Sequence, residues 1–98
     1  MMPEVQYSKR AESDLDKIAT FTRKRGGQRQ ADVYFNGLAE IFEKLAQRPS
    51  MGRTYSNRYH KWHRFEHLSH VILYLPLPSG VRIQRVMHYR RKIQGADG

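Results

Sequence analysis

Five histidines fall between positions 60 and 88 of a 98-residue chain, and the first four, His60, His63, His67 and His70, are spaced three, four and three apart. On a helix that spacing would align imidazoles as metal ligands. The surrounding residues are β-branched and aromatic, however, and on a strand positions 60 and 70 share one face while 63 and 67 share the other. The chain has no cysteine, and Glu66 is the only carboxylate nearby. The pattern therefore predicts solvated or cross-strand polar histidines, and no metal and no cofactor is expected.

A second group is basic and aromatic: Arg53, Arg58, Tyr59, Lys61, Trp62, Arg64 and Phe65, then Arg82, Arg85, His88, Tyr89, Arg90, Arg91 and Lys92. Guanidiniums bind phosphates through paired hydrogen bonds, and rings between them stack on bases. A domain this small also needs its aromatics for a core, which is the preferred reading of Trp62, Phe65 and Tyr74. The run from His88 to Lys92 is different, because folding asks for no three cations in sequence. The chain shows no Ser/His/Asp set with interpretable order, no glycine-rich phosphate loop and no paired carboxylates in the basic half, so conventional hydrolytic machinery is not visible. Nuclease-like chemistry, with His88, Tyr89 and arginines handling proton and charge, stays open.

Charge favours an anionic partner. Lys and Arg number 18 against nine Asp and Glu, for +9 at neutral pH. Residues 1–49 hold nine basic and seven acidic residues, whereas residues 50–98 hold nine basic residues against Glu66 and Asp97 alone. Such a half-chain raises the local concentration of nucleic acid, of a nucleic-acid-handling protein or of an acidic partner segment. The absence of cysteine suits a reducing compartment. The N-terminus Met1-Met2-Pro3-Glu4-Val5 lacks the basic and apolar regions of a signal peptide, and no apolar run approaches the roughly 18 residues of a membrane helix. A cytoplasmic protein with no membrane association is expected.

The elements that must position these residues follow from periodicity. Glu4 to Tyr7 reads as an edge strand. Ser8 offers an N-cap to a helix whose apolar stripe is Ala11, Leu15, Ile18, Ala19 and Thr22, ending at Gly26-Gly27. A second helix from about Gln28 to Arg48 carries Ala31, Tyr34, Phe35, Leu38, Ile41, Phe42, Leu45 and Ala46, and Pro49 stops it. After a loop Pro49-Ser50-Met51-Gly52-Arg53 the period changes to two. Strands are expected over Tyr59 to Glu66, Ser69 to Leu75 and Val81 to His88, with Pro76 to Gly80 as a hairpin loop. The order is β-α-α-β-β-β. This predicts an α+β fold, a helical hairpin packed on a mostly antiparallel sheet, as one domain over 1–98 with a short flexible tail from about 94.

Taken in order, Ser8-x-x-Ala11-x-x-Asp14-Leu15-x-x-Ile18, Gly27-x-x-Gln30-Ala31-x-x-Tyr34, Leu45-Ala46-x-x-Pro49-x-x-Gly52-Arg53, His70-Val71-Ile72-Leu73-Tyr74 and Arg85-Val86-Met87-His88 carry a resemblance. Over about residues 5 to 92 the chain resembles the ParE branch of the ParE/RelE toxin superfamily of type II toxin–antitoxin systems. The resemblance implies the same helical hairpin on a mainly antiparallel sheet. It also implies a ParD-like antitoxin whose flexible C-terminal part wraps the toxin while its N-terminal part binds the operator, so that operator DNA is met only through the complex.

ParE proteins are associated with inhibition of DNA gyrase without catalysis, and the RelE branch cleaves messenger RNA on the ribosome. His88-Tyr89 is similar to the terminal His-Tyr of YoeB-like interferases, but the acidic residue those enzymes carry falls at Leu68 or Ser69 here. Gyrase is the expected target, messenger cleavage the alternative, and a simple nucleic-acid-binding module, on charge alone, the third reading. On this resemblance the target contacts are expected at Arg64, Arg85, His88, Tyr89, Arg90, Arg91 and Lys92. The antitoxin is expected on Leu15, Ile18, Tyr34, Leu38, Arg53 and Tyr74. A gyrase inhibitor has no catalytic residue; an interferase would use His88, Tyr89, Arg64 and Arg85.

Overall fold

Ser8 ends the first strand and starts the first helix. In the computed structural model, which describes residues 3–88, Ser8 is extended and its hydroxyl oxygen accepts the Ala11 N–H at 3.0 Å. This is the expected N-cap, which stabilises a helix by about 1 kcal/mol. It joins β1 (Glu4–Tyr7) to the helical stretch α1 (Lys9–Gln47).

The stretch is broken once. Gly27 has φ 84° and ψ 174°, a conformation that side chains with a Cβ rarely adopt. In an unbroken helix Ala11 and Leu45 would be about 51 Å apart, yet they share one buried cluster in a molecule whose longest dimension is 38 Å. The chain therefore turns back at Gly27, as the expected helical hairpin requires. A 3₁₀ turn, Pro49–Met51, follows.

The sheet has five strands where four were expected: β1, β2 (Arg53–Ser56), β3 (Lys61–His67), β4 (His70–Leu77) and β5 (Gly80–His88). Their spatial order is β1-β5-β4-β3-β2, with β1 parallel to β5 and every other pair antiparallel. The extra strand is β2, an edge of four residues in which only Tyr55 is half-buried, too short to show alternation in the sequence. β3 begins at Lys61 rather than Tyr59, because the Asn57 side-chain oxygen accepts the N–H groups of Tyr59 and His60 and holds them in the turn. Ser69 lies with Leu68 in the two-residue turn before β4. The next hairpin loop is narrower than expected, Pro78-Ser79 alone. Pro76 belongs to β4, where the register with β3 has already ended at His63↔Tyr74 and its missing N–H costs no ladder bond there.

One irregularity in the ladder matters. Leu73 pairs with Arg85 but Tyr74 pairs with Ile83, leaving Gln84 as the extra residue of a β-bulge. The backbone groups around it are taken by α1. Ser8 donates its hydroxyl to the Gln84 carbonyl at 2.8 Å, and Asp14 accepts the Val86 N–H at 3.0 Å. The spacing Ser8 to Asp14 thus serves the bulge as well as the helix.

Leu38, Phe42 and Leu45 from the second half of α1 pack with Ala11, Ile72, Tyr74, Val81, Ile83 and Val86 in the core. A smaller cluster, Val71, Leu73 and Met87 with Tyr55 and Trp62, lies on the other face of the sheet. Tyr74 is fully buried, donating its hydroxyl to the Pro49 carbonyl and accepting the Gly52 N–H at 2.9 Å. A Cβ at Gly52 would come 2.3 Å from that hydroxyl, so the position is confined to glycine by close approach. The motif Pro49-x-x-Gly52 and the distant Tyr74 are therefore one packing unit.

Candidate binding groove

α1 and the ends of β4 and β5 enclose a groove of about 450 Å³. Its apolar wall is Ile18, Phe21 and Tyr34 from both halves of the hairpin, and Val86 from β5. Its polar wall is Asp14, Ser69, His70, Arg85 and His88. Phe21 is 58% exposed, a large apolar surface open to solvent beside a polar floor. Such a combination suits a protein segment that buries side chains and pairs a few polar groups.

The floor is a histidine cluster on the helix-facing side of the sheet. The Tyr34 hydroxyl is hydrogen-bonded to His70 Nδ1. The rings of Tyr34 and His88 stand 5.4 and 5.7 Å from that of His70, and His67 lies 6.2 Å from Tyr34. Burial first, then the neighbouring His88 and His67, push His70 below the ordinary histidine value. Burial also pushes the Tyr34 phenol up, so it stays protonated and available as a donor at neutral pH. Among the described residues no three of His, Asp, Glu and Cys gather as metal ligands.

The arginines expected to meet a target are committed within the fold. Arg85 makes two bonds to Asp14, Nε to Oδ2 at 2.8 Å and Nη2 to Oδ1 at 3.1 Å, and its side chain is only 17% exposed. Arg64 belongs to the opposite face, because its neighbours Phe65 and His67 in β3 contact the core and Tyr34. There it pairs with Glu66 at 3.1 Å and lies 5.6 Å from the Tyr55 ring centroid. The set Arg64, Arg85 and His88 is therefore not one constellation. Tyr89, Arg90, Arg91 and Lys92 lie outside the described residues.

The residues expected to hold an antitoxin also divide. Ile18 and Tyr34 line the groove, and Leu15 is half-buried against the core. Leu38 and Tyr74 are wholly buried and have no surface to offer a partner. Their apolar periodicity marks the core rather than a contact. Arg53 is exposed but sits at the β2 edge, bonded to Glu66 at 2.7 Å. Sequence reasoning missed Phe21, Asp14 and His70 as groove residues. The signal for Phe21 was its place three residues after Ile18, extending the apolar stripe to an exposed position where the Arg25 guanidinium lies over the ring, 5.2 Å from its centroid.

Comparison with known proteins decides the family. The family model described as "ParE toxin of type II toxin-antitoxin system, parDE" matches residues 5–93. The chain belongs to the ParE toxin family. It is 36% identical over 89 residues to Toxin ParE1 of Caulobacter vibrioides, covering 89% of this chain and 90% of that protein. The ParE fold is also seen in a solved structure titled "Chromosomal ParDE TA system from P. aeruginosa", with a TM-score of 0.71 at 17% identity over 89% of this chain and 96% of that one. Among the described residues of this ParE chain no helix is long and apolar enough to cross a membrane.

Proposed function

We propose that this ParE-family chain is a cytoplasmic toxin that inhibits DNA gyrase by binding rather than by catalysis, and that a ParD-like antitoxin neutralises it. Operator DNA is contacted only by the complex, through the antitoxin. The antitoxin reading rests on the groove. Ile18, Phe21 and Tyr34 form an apolar strip at helical spacing and across the hairpin, beside a basic half-chain. An acidic, amphipathic segment folding onto it would bury apolar area and neutralise charge together. The P. aeruginosa structure of similar fold is, by its title, a ParDE toxin–antitoxin system.

One observation carries the non-enzymatic reading: the arginines that would stabilise a scissile phosphate are tied to carboxylates on two different faces, Arg85 to Asp14 and Arg64 to Glu66. An assembled acid–base site would present them together and unpaired. The test is to add purified toxin to a gyrase supercoiling reaction and, separately, to ribosomes programmed with messenger. Inhibited supercoiling with intact messenger is expected. Cleavage at the ribosomal A site, abolished by His88→Ala or Tyr89→Phe in a folded protein, would move the chain to the RelE branch.

A further inference from the structure

Both halves of α1 pack on one face of the sheet, and among the described residues no helix covers the other. On that second face β2 and β3 set Tyr55 across from Trp62 and Arg53 across from Arg64. Trp62 is the single tryptophan of the chain. Its ring already carries a planar partner, the exposed imidazole of His60, with centroids 4.0 Å apart and planes 19° apart. Residues 53–64 hold four cations, Arg53, Arg58, Lys61 and Arg64, and no acidic residue. Arg53 and Arg58 are exposed at the rim, and Glu66, which pairs with both Arg53 and Arg64, leaves the face net positive.

We propose that this helix-free face, centred on Trp62, docks a single-stranded segment of nucleic acid. An indole that holds a flat imidazole at stacking distance offers the same platform to a base, and every base has such a face. The rim cations follow the phosphates. An acidic peptide would satisfy the cations but leave the rings unused, and a duplex keeps its base faces stacked inside itself. The surface lies on the opposite side of the sheet from the groove, and the proposal stands whether or not gyrase is the target.

The experiment titrates the full chain with a short oligothymidylate and follows Trp62 fluorescence. Saturable quenching that weakens with salt is expected, with oligouridylate in parallel distinguishing DNA from RNA as the source of the strand. By anisotropy of a labelled strand, Trp62→Leu and Trp62→Ala should each bind roughly 10- to 100-fold more weakly, the range that loss of one base–ring stack gives. Melting curves establish that these variants fold. Arg58→Glu, at an exposed position, keeps the test decisive if Trp62→Leu does not fold, and should weaken binding and flatten its salt dependence. Absence of quenching overturns the proposal. So does polyglutamate quenching as well as the oligonucleotide, or a duplex binding as tightly while Trp62→Leu changes nothing.

Discussion

The Arg85 guanidinium grips Asp14 with two nitrogens while the same carboxylate accepts the Val86 N–H, so one acid on α1 closes both the charge and the backbone of the β5 bulge. The pair is shielded, with side chains 17% and 12% exposed. Removing one partner strands the other, a loss of about 3 kcal/mol or more. Asp14→Ala should therefore lower the urea midpoint more than Asp14→Asn, whose amide oxygen can still accept the Val86 N–H. Equal midpoints for the two variants would show that the backbone bond contributes nothing.

Tyr74 and Gly52 make a second test. Tyr74→Phe removes one hydroxyl that serves two backbone groups, and should destabilise by roughly 1 to 3 kcal/mol. Gly52→Ala drives a methyl against that hydroxyl and should cost more. In the double variant the hydroxyl is gone and part of the loss should return, although the Arg64 carbonyl, 2.6 Å from the new Cβ, remains. Strictly additive losses would mean that the two residues do not act as a unit.

His70 links stability to pH. The unfolded chain takes up a proton there near pH 6.5, whereas the folded chain resists it, because burial and the neighbouring His88 and His67 disfavour the imidazolium. Below that pH the unfolded state binds more protons, so this contribution is complete above 6.5 and is lost as pH falls toward the depressed folded value. Denaturation midpoints measured from about pH 7 down to about pH 5 should fall less steeply in His70→Gln than in the parent. Parallel curves would remove His70 from the account.

Leu68 is left-handed, φ 54°, and 77% exposed in the turn between β3 and β4. A leucine there bears strain of about 1 kcal/mol without packing in return. Leu68→Gly or Leu68→Asn should raise the melting temperature, by roughly 0.5 to 1 kcal/mol of stability, since tight hairpin turns favour those residues. A lowered melting temperature would show that the leucine is held by contacts not evident from its exposure.

In the core, Leu38→Ala and Phe42→Ala each leave a cavity and should cost about 2 to 5 kcal/mol. Variants that melt with the parent would contradict the burial of both side chains.

Helix and core residues were legible because long apolar periods are redundant: Leu38, Phe42 and Leu45 repeat one message, and Gly27 and Pro49 mark the ends of the helix that carries it. β2 was not legible, since four residues with one half-buried side chain carry no period. The groove was legible only in pieces. Ile18 and Tyr34 were recognised as apolar and His88 as polar, but what gathers them is the turn at Gly27 and the β5 bulge, features of three-dimensional register. Arg64 and Arg85 misled for a related reason. A sequence shows a cation but not its counter-ion, and Asp14 lies 71 positions from Arg85.

The parallel pairing of β1 with β5 has a consequence in time. Val5 lies opposite Val81, and Ser8 bonds across 76 positions to Gln84. Among the described strands β1 is synthesised first and its neighbour last. A nascent chain halted before Gly80 has its helical hairpin but an unfinished sheet, and closing so long a loop comes late in folding. Ribosome-held chains stopped there should be digested by protease along their whole length. The cell that makes this protein is exposed to a folded toxin only after translation has passed β5, so an antitoxin already present meets its partner at birth.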